Sequence, residues 1–98
     1  MTDHQMSQQG LDASMVLENQ AYQAAMQALR LQVVEQWREC PIRDVEGQRL
    51  LLQLAKLAEK FEGILSGMVQ AGKFAQNKIN LDNERNESAA RKMLRRVM

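Results

Sequence analysis

Leu50, Leu54, Leu57, Phe61, Ile64, Met68, Ala71 and Ala75 follow one another at alternating steps of four and three. On an α-helix this spacing places the whole series on one face, with the 3.5-residue repeat of a coiled-coil seam. A second line, Leu51, Ala58, Leu65 and Gly72, runs beside it and makes the face wider than one neighbouring helix fills. The only other strong stripe is Tyr22, Met26, Leu29, Val33 and Trp37, and it is shorter. The expected consequence is a long helix that is covered in part by its own chain and in part by something else.

The flanking residues delimit these helices. Asn19 is a good N-cap, and Pro41 disfavours helical geometry at Cys40 and lacks an amide donor, so a first helix is expected over 20–39. Asp44 caps a second helix over 45–78, with Glu46 at the positive end of its dipole. A link as short as residues 41–44 favours antiparallel neighbours. At ~1.5 Å per residue the first helix spans ~30 Å and the second ~50 Å, so the end of the stripe around Met68 to Ala75 is expected to stay open. Met15, Val16 and Leu17, on a short turn capped by Asp12, or another subunit, are the available covers. Gly72 is the expected weak point of the long helix.

The expected fold class is all-α: an antiparallel helical hairpin with one long helix, a short N-terminal turn and a C-terminal helical extension, assembling into an oligomer. Residues 1–18 read as a mobile, polar segment, 19–79 as the hairpin, and 80–98 as a basic extension with a third helix capped by Asp82 or Asn83. Trp37 is expected to anchor the hairpin end of the core. The expected contact residues at the open end are Leu65, Met68, Val69, Gly72 and Phe74.

Composition narrows the chemistry. A net charge of +1 over 98 residues gives no general affinity for polyanions. No apolar run reaches the ~20 residues that span a bilayer, and the polar start lacks the pattern of a signal peptide. No membrane partner is expected. The lone Cys40 suits a reducing cytoplasm. His4 is the single histidine, so no Cys/His metal spacing exists, Cys40 has no general base nearby in sequence, and no cofactor or catalytic residue is expected. Glu59 and Glu62 alternate with Lys56 and Lys60, as on a solvated helix face. Arg91, Lys92, Arg95 and Arg96 gather near the C-terminus and form a candidate DNA-phosphate contact, without the aromatic residues that single-strand stacking uses.

The segment from Val16 to Ala75 resembles a group of small helical proteins that tailed bacteriophages and prophages encode among genes for head assembly and DNA packaging. The matching features are Asn19 and Tyr22 in ENQAYQAA, Trp37 and Arg38 in EQWREC, Asp44, Glu46 and Gly47 in RDVEGQR, Lys56 in LAKLAEK, and Gly72 and Lys73 in QAGKFA. Gln20 departs from the pattern, which has a Pro after the Asn, and the basic extension lies outside it. The resemblance implies a helical-hairpin architecture, a role in virion assembly, and a location in the host bacterial cytoplasm or the virion. The expected partners are further copies of the chain or another virion protein. The rival readings are a DNA-binding accessory protein and an inhibitor or adaptor for a host protein.

Overall fold

The computed structural model describes residues 1–97, with side chains up to Arg95. It contains three helices and, among the described residues, no strand: α1 (Asp3–Glu18), α2 (Gln20–Glu39) and α3 (Val45–Val97). Local chemistry accounts for each start. Thr2 and Gln5 form a reciprocal capping box at α1. Asn19 Oδ1 accepts from the Tyr22 amide at 3.0 Å and starts α2. Asp44 Oδ1 accepts from the Gly47 amide at 2.9 Å and starts α3. Cys40, in extended conformation before Pro41, closes α2 with its amide donating to Gln36 and Trp37 carbonyls.

Asn19 is also the only residue between α1 and α2. Its extended backbone (φ −65°, ψ 126°) bends the chain without turning it back. The two helices therefore form one broken arm, which the loop at residues 40–44 folds antiparallel onto α3. Asp3 meets Lys78 (3.6 Å), Ser7 donates to Gln76 (2.7 Å), the Tyr22 and Phe61 rings lie 6.3 Å apart, and Arg30 pairs with Glu62.

The tightest packing in the molecule is α1 on α3. At its centre the two backbones touch: a Cβ on Gly10 would lie 2.8 Å from the Gly72 Cα and 2.9 Å from the Met68 carbonyl oxygen. A Cβ on Gly72 would lie 2.8 Å from the Gly10 Cα. Only glycine at both positions permits this approach. Gly10 and Ala13 are buried, and Met6 and Leu17 are half-buried, so the α1 seam is a row of mostly small side chains at four-three-four spacing.

The structure corrects several expectations. Residues 3–18 are a full helix packed on α3, not a mobile segment with a short turn. The signal for this lies in long-range glycine contact rather than in local hydrophobicity. The long helix does not weaken at Gly72, because α1 packs directly on it, and it runs on without a separate third helix at Asp82. Beyond Lys78 the arm has ended, and every described side chain from Asn80 to Arg95 is exposed. That overhang extends a packed helix, so it needs propagation and no new nucleation.

The chain is a rod of 84 × 25 × 15 Å. Its radius of gyration is 22.9 Å, against about 13 Å for a compact 100-residue domain.

Two alanine substitutions separate packing from propensity. Gly10→Ala is expected to destabilise the fold by about 1–2 kcal/mol net, since overpacking outweighs better helix propensity. Gly63 has nothing within 4 Å of an added Cβ, so Gly63→Ala is expected to stabilise by up to ~1 kcal/mol. Urea denaturation followed by circular dichroism reads both.

Candidate assembly interface

As far as Ile64, burial on α3 follows the second apolar line, not the first. Leu51, Ala58 and Gly72 are buried and Leu65 is half-buried, all facing the arm. The leucine stripe lies about 60–100° round the helix from that line. Its two halves have opposite fates. Leu50, Leu54, Leu57, Phe61 and Ile64 are 61, 46, 62, 50 and 50% exposed. Met68 and Ala71 are half-buried, and Ala75 is 1% exposed. The far end of the stripe is thus closed, and of the two covers expected for it the chain's own N-terminal segment is the one found, although it acts through Gly10 and Ala13 while Met15 and Val16 are exposed.

The cause is the glycine crossing. It sets α1 over the stripe at Met68 to Ala75 and over Gly72 beside it. α2, tethered through Asn19 alone, then lies along Leu51 and Ala58. Small side chains at Ala58 and Gly72 admit a close neighbour where leucines would hold one off.

The proposed contact residues are therefore divided. Gly72 is buried under α1, and Leu65, Met68 and Val69 are half-buried on the same side of the chain's own fold. Phe74 alone is freely exposed, at 74%. The bare surface that sequence reasoning misses is the ridge Leu50, Leu54, Leu57, Phe61 and Ile64. Its four-three spacing is plain in the sequence, but the expected cover, α2, lies elsewhere.

Trp37 is 60% exposed and does not anchor the core. It lines an open groove of about 490 Å³ between α2 and α3 with Val33, Val34, Val45, Leu52 and Ala55. The hairpin end is held instead by capping: Gln48 Nε2 lies 3.2 Å from the Pro41 carbonyl oxygen. On the other side of the same hairpin end, Gln36, Glu39 and Cys40 adjoin Leu50 and Leu54.

The interior is thin. Ala13, Met26, Leu51, Ala58 and Ala75 are the buried apolar side chains among the described residues, and no large side chain there is fully buried. The Tyr22 hydroxyl is buried and has no hydrogen-bond partner among the described residues. A chain of this size is marginal even with a full core, and this one leaves most of its leucines in water.

The remaining candidate groups are dispersed. Arg91, Lys92 and Arg95 are exposed on the overhang, and the side chain of Arg96 lies outside the described residues. Among the described residues no group of three or more His, Cys, Asp or Glu is placed to hold a metal ion, and no helix is long and apolar enough to cross a membrane. Cys40 Sγ lies 3.8 Å from both the Asp44 carbonyl oxygen and its carboxylate. Desolvation, then the Asp44 charge and its hydrogen bond, push the thiol above its usual range. Little thiolate is then present at neutral pH, which makes Cys40 a weak nucleophile.

No protein-family model, curated protein or solved structure matches the chain.

Removing the Asp44 charge should make the thiolate easier to form. Asp44→Asn is expected to shift the pH profile of Cys40 alkylation by iodoacetamide to lower pH, with helicity retained because Asn also caps. An unshifted profile would show that Asp44 does not act on the thiol.

Proposed function

We propose that this chain is a non-enzymatic helical assembly protein, acting in virion head morphogenesis or DNA packaging through helix-mediated oligomerisation. One observation carries the reading: a heptad-spaced ridge of five large apolar side chains on α3, each about half or more exposed. Isolated exposed leucines are ordinary, but a contiguous patch marks an interaction surface. A heptad row has the further property of fitting another helix, knob into hole. The virion setting comes from the resemblance of residues 16–75 to phage head and packaging proteins. An α-hairpin with an open seam suits repeated contacts between subunits.

Solution mass tests the reading. Light scattering over a range of concentrations is expected to give a defined oligomer for the native chain. Leu57→Glu is expected to reduce it to the monomer mass with helicity unchanged, since Leu57 is 62% exposed in the single chain. A native chain that stays monomeric at high concentration would end this reading.

A second reading draws on the exposure of Arg91, Lys92 and Arg95 along the unpartnered end of α3. These side chains are free to meet DNA phosphates. The reading requires a DNA mobility shift at low salt that falls steeply as salt rises, and its loss when the three are changed to Gln. No shift at low salt removes it.

A further inference from the structure

We infer that the occupant of the bare ridge is a second copy of this chain, docked antiparallel, with Leu54 and Leu57 of each copy packed together beside the two-fold axis. The inference rests on the self-assembly reading above and specifies its geometry.

The length of the free ridge limits what can lie on it. The ridge face is open from the start of α3 to Ile64. From about Ser66 onward α1 occupies it, as the cover over Met68 and Ala75 shows. A partner helix lying on the ridge must therefore end near Ser66. The α3 of a second copy does so when it runs antiparallel. With Leu54 opposite Leu57 of the copy, and Leu50 opposite its Phe61, the copy's Val45 comes level with Ser66. There its loop at residues 40–44 turns the chain away.

Steric exclusion opposes the parallel alternative. In a parallel pair the two α3 helices would continue side by side past residue 66. Each α1, about 10 Å across, already covers Met68 to Ala75, where the other copy's α3 would have to pass. Antiparallel docking instead sends each overhang outward past the other copy's hairpin end.

Charge favours the same direction. Glu46, Gln53 and Lys60 form the row beside the ridge on the side away from the arm, at seven-residue spacing. Antiparallel docking brings Lys60 beside Gln53 of the copy, with the copy's Glu46 about a turn and a half further along. Parallel docking would instead run the two basic overhangs side by side, with Arg91 and Lys92 of both copies at the same height, and like charges gathered there disfavour it. The ridge face is also self-complementary in the sense that a two-fold interface requires, since residue i meets j and j meets i.

Cysteine cross-linking in the full chain tests the arrangement. In a Cys40→Ser background, Lys60→Cys and Gln53→Cys chains are prepared separately and as a refolded equimolar mixture. Circular dichroism confirms that each is helical. Under mild oxidation the mixture is expected to give several-fold more linked dimer than either variant alone. Strong self-linking of an Ile64→Cys chain, whose two copies meet in a parallel pair and stand about 25 Å apart in the antiparallel one, would overturn the antiparallel arrangement while leaving self-assembly standing. A native oligomer in which neither linkage forms would place the second copy elsewhere and overturn the inference. A native monomer at all concentrations would overturn both this inference and the reading it rests on, and would assign the ridge to a different protein.

Discussion

The contact of Gly10 with Gly72 decides the rest of the structure. Backbone meets backbone there, so the α1 axis comes as near to α3 as two helices can. On α3 that closeness falls at Gly72, whereas Gly63 and Gly67, on another face, have nothing within 4 Å of an added Cβ. Once α1 is seated, α2 has a single residue of freedom and must follow. The leucine ridge is left bare as a result of where a glycine stands 62 residues from its partner in the chain.

This order of events reverses the usual relation between hydrophobicity and burial. The strongest apolar stripe in the chain faces outward over half its length, and the seam that closes the hairpin is built from alanine and glycine with a few larger residues. Small side chains give up apolar area and gain proximity, which increases dispersion contact between main chains. The exchange leaves a monomer with little interior and with a surface shaped for a helix, which is the physical basis of the assembly reading.

Much of this is legible in the amino-acid sequence. Asn19, Pro41 and Asp44 bound the helices correctly, because caps and breakers act through neighbouring amides and need no tertiary context. The all-helical class and the hairpin follow from the same local signals. Two features are not legible. Residues 3–18 are rich in Gln and Ser, and their seam of Met6, Gly10, Ala13 and Leu17 reads locally as a tail broken by glycine. Its meaning appears only against Gly72. The side of α3 that meets the arm is likewise hidden, since Leu50 and Leu51 are both apolar and adjacent, and nothing local chooses between faces 100° apart. Trp37 misleads for a related reason: it shares a helical stripe with buried Met26, but near the hairpin mouth α2 and α3 leave a groove.

The uninterrupted run of α3 also has a mechanical meaning. Between Ile79, where α1 stops, and Arg95 the helix extends ~25 Å with no neighbour in its own chain. A helix of that kind resists bending over so short a span, so it acts as a spacer of set length. Whatever meets the basic tip is held at a fixed stand-off from whatever meets the leucine ridge, and two copies docked antiparallel would carry their tips at opposite ends of one rod.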